Sequence, residues 1–243
     1  MNQMKSNNIF ERVEKKYLLS NMDYELLKEK LLPFMKMDHY GLHTICNIYF
    51  DTENYELIRT SIEGPVYKEK LRLRSYGIPT DNSAVFLEIK KKYKGVVYKR
   101  RVSMTLEETK RYLKHGIHPS MDSQILKEID YFIQFYRPVP KVYLAYDRIA
   151  LYGMEDSDIR ITFDQNIRSR MTELDLAEGD HGKCLLEKGA VLMEIKVPSA
   201  YPLWLAGILS DLMIYPLSFS KYGNVYKEQL IDERNGNLCL QAL

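Results

Sequence analysis

Alternation of basic and apolar residues in segment 66–76 is the sequence feature that most constrains the fold. The side chains of a β-strand point alternately to the two faces of its sheet. In such a strand, Leu71 and Leu73 would share one face. The opposite face would carry four cations: Lys68, Lys70, Arg72 and Arg74. The segment therefore predicts a strand that packs against a core on one side and is strongly cationic on the other.

Five further segments separate charged and polar residues from apolar ones in the same way. Their alternating residues are Arg12, Glu14 and Lys16; Glu88 and Lys90; Lys99 and Arg101; Arg160, Thr162 and Asp164; Glu194 and Lys196. On a single strand, such a face could simply be exposed to solvent, as in a one-sided antiparallel sheet. Across six strands we favour a charged interior, because most of the charged residues are Arg or Lys although the whole chain has 35 basic and 33 acidic residues.

Strand signals dominate the remaining pattern. We predict strands at 9–19, 44–51, 66–76, 84–92, 95–104, 141–151, 158–165 and 190–197. We predict helices at 20–37, from the capping box 105–108 to Gly116, at 122–136, and within 201–217. No linker, repeat or low-complexity run divides the chain, so we expect a single domain over residues 1–243. The regular strand spacing is typical of an antiparallel barrel or sandwich.

The charge balance limits the classes of ligand. A formal charge of +2 argues against a general binder of nucleic acids or membrane surfaces, which usually carries a large basic excess. If the sheet closes into a barrel, a lumen lined with cations would be self-repelling unless a polyanion filled it. Chains of phosphates suit such a lumen, because Arg and Lys both bind phosphate oxygens.

Carboxylates on the same faces have two possible tasks. Glu88, two residues before Lys90, could pair with a cation and hold it in position. Others could bind a hard divalent cation that bridges carboxylate and phosphate oxygens. Glu194 is the better candidate for a metal ligand because it follows an apolar run and shares its face with Lys196, and Glu14 is the second.

The expected compartment is the cytoplasm. The first nine residues are polar and lack the apolar region of a signal peptide. Segment 201–217 is interrupted by Asp211 and two prolines, and it is shorter than the roughly 20 apolar residues of a spanning helix. The three cysteines form neither a disulfide framework nor a CxxC pair.

Eight short motifs, in order, resemble a known family. They are RVEKKYLL (12–19), KLRLRS (70–75), FLEIKKK (86–92), YKRR (98–101), YDR (146–148), IRITFD (159–164), LMEIK (192–196) and SFSKY (218–222). Over about residues 10 to 225, the chain resembles the VTC domain. This is the polyphosphate polymerase domain of the vacuolar transporter chaperone complex, a branch of the triphosphate tunnel metalloenzymes (CYTH-like superfamily).

The resemblance implies an α+β fold, in which helices pack outside an antiparallel β-barrel that forms a triphosphate tunnel. It also implies a set of tunnel cations: Lys16, Arg72, Arg74, Lys90, Lys99, Arg148, Arg160, Lys196 and Lys221. Glu194 would hold Mn²⁺ or Mg²⁺. ATP would be the substrate, and pyrophosphate, triphosphate and inorganic polyphosphate are further expected ligands. We also expect Arg12 and Arg101 to bind phosphate and Tyr222 to stack on the nucleotide base.

One departure from the superfamily affects the expected reaction. The superfamily opens with ExExK on its first strand, whereas this chain has Arg12 in place of the first acid. The change removes a metal ligand of hydrolytic members and favours polymerisation, although Glu14 keeps hydrolysis open. The chain also lacks the phosphate-sensing and membrane-spanning domains that often accompany this module, so we expect a free-standing soluble version, with a membrane protein as a possible partner.

Three functions follow as hypotheses. The first is transfer of the ATP γ-phosphoryl group to polyphosphate. This reaction needs neither a nucleophile–base set nor a Walker-type motif, and the sequence has neither. The second is hydrolysis of an inorganic or organic triphosphate, which would require a second metal held by a carboxylate. The third is a non-catalytic module that binds polyphosphate. RNA binding is the weakest hypothesis, and the sequence leaves the oligomeric state open.

Overall fold

The computed structural model describes the backbone of residues 13–94 and 96–240 and the side chains of residues 13–94 and 96–230. Its ten strands are β1 (Val13–Leu19), β2 (Met35–Met37), β3 (His43–Asp51), β4 (Tyr67–Tyr76), β5 (Ala84–Tyr93), β6 (Val96–Thr105), β7 (Val139–Gly153), β8 (Arg160–Arg170), β9 (Lys183–Cys184) and β10 (Val191–Val197). Its six helices are α1 (Asn21–Leu31), α2 (Glu56–Glu63), α3 (Leu106–His115), α4 (Gln124–Tyr136), α5 (Leu203–Asp211) and α6 (Lys221–Leu240).

The eight predicted strands are all represented, with ends shifted by a few residues, and residues 9–12 of the first predicted strand lie outside the described residues. The short strands β2 and β9 and the helices α2 and α6 are not among the predicted elements. The helix predicted at 20–37 ends at Leu31. Pro33 explains the early end, because proline has no N–H to donate to a helical hydrogen bond. Met35–Met37 then pairs with β7 instead of continuing the helix.

The chain divides into two compact units. The first unit contains residues 1–42, 148–165 and 189–218, and the second contains residues 43–147, 166–188 and 219–243. Strands β7 and β8 each contribute residues to both units. The single domain expected over residues 1–243 stays a prediction.

In the first unit, the strand order is β1-β10-β8-β7, and β2 also pairs with β7. The pairs β1/β10 and β10/β8 are antiparallel, which sets Glu194 between Lys16 and Thr162. The apolar face of this sheet includes Ile161 and Ile195, both fully buried. It packs in one hydrophobic core with leucines of α1 and α5.

In the second unit, the strand order is β7-β3-β4-β5-β6, and β9 pairs with β8. The pairs β3/β4, β4/β5 and β5/β6 are antiparallel. Leu71 and Leu87 belong to the apolar face, which forms a second core with residues of α3 and α4. Because that face is covered by helices, the register directs the basic residues of β4 to the other side of the sheet.

Local signals fix the turns and helix ends. A hairpin joins β5 to β6, with Tyr93 opposite Val96 and Lys94 in the left-handed region at φ 46°. The predicted capping box begins α3: the Thr105 side chain accepts from the Glu108 N–H, and Glu108 accepts from the Thr105 N–H. No helix in the described part of the chain is both long and apolar enough to cross a membrane.

Candidate functional site

Glu88 is a buried carboxylate at the centre of a group of cations in the second unit. Its carboxylate is 1% exposed and accepts a hydrogen bond from Arg72 Nε at 2.6 Å. Lys99 Nζ lies 2.8 Å from Oε1, and Arg74 Nε lies 3.8 Å from Oε2. We call Arg72, Arg74, Glu88 and Lys99 the Glu88 cluster. It brings together three predicted tunnel cations around the carboxylate that the sequence suggested as a cation partner.

Side chains of neighbouring strands position the two arginines. Arg74 donates from Nε to Asn47 Oδ1 at 3.0 Å and from Nη2 to the Tyr146 hydroxyl at 3.2 Å. Arg72 donates from Nη1 to the Tyr49 hydroxyl at 3.2 Å. Most of each guanidinium is therefore covered by protein: the Arg72 side chain is 21% exposed and that of Arg74 is 7% exposed.

Burial and the charges of the cluster shift three pKa values. Burial alone would raise the pKa of Glu88, but Arg72, Arg74 and Lys99 lower it to about 2. Burial lowers the pKa of Lys99 to about 8, with Glu88 acting in the opposite sense. Burial would raise the pKa of Tyr49, but Arg72 and the other nearby cations lower it to about 8. All three shifts favour negative charge or disfavour further positive charge, as expected where cations outnumber carboxylates.

Further predicted cations surround this cluster. Lys90 lies between Lys70 and Lys99 in the register of β4, β5 and β6. Arg101 lies opposite Glu88, and its guanidinium is 4.5 Å from the centre of the Phe86 ring. Glu88 is the only carboxylate on this face of these three strands in the described residues. The face is therefore cationic from Arg74 to Lys68 along β4.

Two predicted residues at the start of α6 also belong to the second unit. Lys221 Nζ lies 4.5 Å from the centre of the Tyr146 ring, the same tyrosine that accepts from Arg74. Tyr222 is 3% exposed, stacks on Tyr49 with 5.1 Å between ring centres, and donates to Asp51. Tyr222 thus packs as a core residue, and its predicted contact with a nucleotide base stays a prediction.

The first unit contains a different arrangement of charges. Glu194 Oε1 lies 2.5 Å from Lys196 Nζ, and Glu194 Oε2 lies 3.9 Å from Lys16 Nζ. Glu14 Oε2 lies 3.9 Å from the same Lys196 Nζ. The two predicted metal ligands therefore share one lysine, and acids and bases alternate across β1 and β10. We call Glu14, Lys16, Glu194 and Lys196 the Glu194 cluster.

Arg148 and Arg160 lie on strands of the same unit. Arg148 donates from Nε and Nη2 to the two oxygens of Asp164, at 2.6 and 2.8 Å, and Asp164 is 1% exposed. This bidentate pair commits two Arg148 donors to a carboxylate, so a phosphate would have to use the remaining face of the guanidinium. Arg160 lies opposite Lys196 and is exposed.

Glu194 has the properties of a ligand for a hard cation. Burial would raise the pKa of Glu194, but Lys196, Lys16 and Arg148 lower it well below its usual range, so the carboxylate is ionised at neutral pH. No group of three or more metal-ligating side chains occurs in the described residues. Mg²⁺ typically binds one or two carboxylates together with substrate phosphates and water. The donors present fit a cation that is shared with a phosphate ligand.

The structure adds residues that the predicted site does not include. Asn47, Tyr49 and Tyr146 hold the arginines of the Glu88 cluster, and Asp164 holds Arg148. The signal for Asn47 is a polar residue between apolar neighbours in segment 44–51. The predicted phosphate ligand Arg12 lies outside the described residues.

Comparison with known proteins places the chain in a family. Residues 11–229 match the family model of the VTC domain. The chain belongs to the VTC domain family. This result confirms the resemblance carried by the eight sequence motifs. Among proteins with curated descriptions, none matches the sequence.

Solved structures share the fold of this VTC domain. A candidate adenylate cyclase of Bacillus halodurans is 15% identical, with a TM-score of 0.54; the match covers 86% of this chain and 93% of that protein. A candidate adenylyl cyclase from Hippeastrum, described as having a dominant triphosphatase activity, is 18% identical, with a TM-score of 0.51 and coverages of 87% and 93%. At such identities the similarity shows a common fold, and it confirms the predicted fold class.

The shifted pKa of Glu88 predicts a contribution to acid stability. The carboxyl has a pKa of about 2 in the folded VTC domain, against an ordinary value of 4.5. Its stabilising effect is complete above the unfolded value and is lost as the pH falls through 2. We expect about 3 kcal/mol of the wild-type unfolding free energy to disappear between pH 5 and pH 2, and Glu88→Gln to lack this loss.

At pH 7, Glu88→Gln should be less stable than wild type by about 3–5 kcal/mol, because it leaves buried cations without their carboxylate. Urea unfolding at several pH values measures both effects. Glu128→Gln is the matched control, since Glu128 pairs with Arg100 in a more exposed place. We expect that variant to change stability by about 1 kcal/mol or less. Equal acid dependence in wild type and Glu88→Gln would contradict the assignment.

Proposed function

We propose that this VTC domain is an ATP-dependent polyphosphate polymerase. The observation that carries the proposal is the cationic face of β4, β5 and β6, on which guanidinium groups are buried around the single carboxylate Glu88. Burying cations is costly unless anions compensate them. One carboxylate balances a small part of this charge, and a linear chain of phosphates would balance the rest. Family membership supports the same function.

The Glu88 cluster would hold the phosphates of the substrate. Arg72 and Arg74 present planar donors that match phosphate oxygens, and Lys99 adds an ammonium group. Their contacts with Tyr49, Asn47 and Tyr146 fix the guanidinium orientations before a ligand binds. Catalysis would then consist of alignment and of stabilising the charge on the transferring group. An anion beside Lys99 would also raise the pKa of its ammonium group and keep it charged.

The reaction needs no general base. An ionised terminal oxygen of polyphosphate would attack the γ-phosphorus of ATP and form a new P–O–P bond. The bond between the γ-phosphorus and the oxygen that bridges to the β-phosphate would break, and that oxygen would leave on ADP. The attacking oxygen carries no proton at neutral pH, so no residue has to remove one. This matches the absence of a nucleophile–base set in the sequence.

Glu194 and Glu14 would hold a divalent cation, Mn²⁺ or Mg²⁺, which when bound would neutralise charge on phosphate oxygens. Glu194 is the stronger candidate because its side chain is 13% exposed, against 32% for Glu14, and the cation would replace its ion pairs with Lys196 and Lys16. Lys196, which contacts both carboxylates, would limit their mutual repulsion. Binding of the cation should therefore depend on Glu194 more strongly than on Glu14.

Hydrolysis of a triphosphate is the second candidate, and the presence of two carboxylates in the Glu194 cluster favours it. A hydrolase must activate water, for which a second metal ion held by Glu14 would be required. A module that only binds polyphosphate is the third candidate. For each of these functions, we propose that the protein is cytoplasmic. Its ligands would be ATP, pyrophosphate, triphosphate or polyphosphate and no nucleic acid. A membrane protein is a possible partner.

Product analysis distinguishes these functions. The purified protein would be incubated with ATP and Mn²⁺, while ADP, free phosphate and acid-insoluble polyphosphate are followed together. The polymerase predicts ADP and polymer with little free phosphate. Stoichiometric ADP and phosphate would replace the proposal with hydrolysis, and absence of all three products despite binding of tripolyphosphate would leave a binding module.

Substitution of Glu194 tests the role of the metal. Glu194→Gln should lower turnover by about 100-fold or more, because a bound cation contributes several kcal/mol of charge stabilisation. Binding of tripolyphosphate without metal should stay within a few-fold of wild type, as measured by calorimetry. Glu25→Gln, an exposed residue of α1 that pairs with Lys28, is the control and should leave both measurements unchanged. Unchanged turnover in Glu194→Gln would remove Glu194 from the metal site.

Substitution of Arg72 tests the phosphate site. Arg72→Ala should weaken tripolyphosphate binding by about 1.5–3 kcal/mol, the usual contribution of a hydrogen bond to a charged group. Arg72→Lys keeps the charge and should recover part of the loss. Arg100→Ala is the matched control. Arg100 precedes Arg101 on β6 and therefore lies on the opposite face of the sheet, where it pairs with Glu128. Equal affinity in wild type and Arg72→Ala would mean that this face does not bind phosphate.

A further inference from the structure

A cavity of about 170 Å³ lies in the hydrophobic core of the second unit. Its floor is the apolar face of two strands, with Ile48 and Phe50 of β3 and Leu71 and Leu73 of β4. All of its lining residues belong to the second unit. An apolar cavity of about 150 Å³ is large enough to bind benzene. The cavity therefore has room for a hydrocarbon group of about six carbon atoms.

Two helices and a loop form the walls of the cavity. Leu113 of α3 and Ile133 of α4 are half-buried lining residues, and segment 174–176 forms a further side. Lys114 and Pro140 also line the cavity, and both are exposed. The cavity therefore extends from the core to the surface, and a small molecule can enter it beside Lys114.

Charged side chains lie only at the mouth of the cavity. Lys110 Nζ lies 2.9 Å from Asp175 Oδ2 and 3.6 Å from Asp81 Oδ1. Lys114, one turn further along α3, has no carboxylate oxygen within 4.0 Å in the part of the chain that the structure describes. Burial would raise the pKa of Asp175, but its hydrogen bond with Lys110 and the charge of Lys114 lower it. Both carboxylates contact Lys110, so Lys114 is the cation that suits an anionic ligand.

The cavity and the Glu88 cluster lie on opposite faces of the same strands. Leu71 and Leu73 flank Arg72 in the sequence, and adjacent side chains of a strand point to opposite faces. Ile48 lies in the same way between Asn47 and Tyr49, which hold the two arginines. A molecule in the cavity would therefore not compete with phosphates for the donors of the cluster.

We infer that this cavity binds an organic acid with a hydrocarbon group of about six carbon atoms. The hydrocarbon group lies against Phe50 and Leu71, where it supplies packing contacts that a cavity in a core lacks. The carboxylate stays at the mouth, beside the ammonium group of Lys114 and in contact with water. The site is separate from the phosphate site, and the inference does not depend on the proposed function.

Calorimetry with four small molecules tests the size and the charge of the site. Heptanoate, with a six-carbon chain beyond its carboxylate, should bind. Butanoate, whose chain is three carbons shorter, should bind about 50-fold more weakly, because each buried methylene contributes about fourfold. Heptan-1-ol should bind about threefold more weakly than heptanoate, because it lacks the charge that pairs with Lys114. Heptylammonium reverses that charge and should bind about tenfold more weakly.

Two substitutions test the position of the ligand, each with a matched control. Leu174→Phe enlarges a half-buried lining residue and should weaken heptanoate binding about tenfold, because the ring takes up part of the volume. Ile117→Phe should not, since Ile117 is exposed and does not line the cavity. Lys114→Gln should weaken heptanoate binding about threefold and leave heptan-1-ol binding unchanged. Arg111→Gln, which removes an exposed cation of the same helix, should change neither.

Two further measurements locate the bound molecule. In methyl NMR spectra, heptanoate should shift the signals of Ile48 and Ile133, which line the cavity, and leave that of Ile117 unchanged. Tripolyphosphate at a saturating concentration should not displace heptanoate. Displacement would mean that the acid binds to the cationic face, and it would overturn the inference.

The other outcomes also decide the question. Lack of binding at millimolar heptanoate, or equal affinity in wild type and Leu174→Phe, would remove the ligand from the cavity. Heptylammonium binding as tightly as heptanoate would overturn the assignment to an acid. A dimer that heptanoate dissociates, as followed by sedimentation, would mean that a second copy of the chain covers the mouth, which also overturns the inference. A lack of tripolyphosphate binding or of polymerase activity would contradict the proposed function alone.

Discussion

The ion pairs of Glu88 are the interaction on which the candidate phosphate site depends. Arg72 and Arg74 are largely covered by protein, and a buried guanidinium is stable only with partners for its charge and its hydrogens. Glu88 supplies the charge, while Tyr49, Asn47 and Tyr146 each accept one further hydrogen bond. Helices cover the apolar face of the same strands, so the cations lie on the other face. There they need these partners for their charges and hydrogens.

The two units use charge in different ways. In the first, acids and bases alternate, so that Glu194 lies between Lys16 and Lys196, and Asp164 binds Arg148 through two hydrogen bonds. In the second, one carboxylate faces a continuous set of cations. Under the proposed function, the unbalanced cationic face would hold the polyanion, and the carboxylates of the balanced cluster would hold the divalent cation.

Much of the fold follows from the sequence because strand periodicity is local. All eight predicted strands form, and the Thr105 capping box begins a helix where expected. The errors also have local causes: Pro33 ends α1 early, and β2 and β9, of three and two residues, are too short to show an alternation pattern. The VTC resemblance is local as well, because each of its motifs is a short run of neighbouring residues.

The sequence by itself determined which side chains share a face, since alternation depends only on the period of two along each strand. Tertiary structure decided which of those side chains meet. The pairing of Arg148 with Asp164, the burial of Tyr222 against Asp51 and the alignment of Lys70 with Lys90 and Lys99 all depend on strand register and helix packing. Register joins residues that are distant in the chain, and a shift of two residues would keep every face while changing every partner.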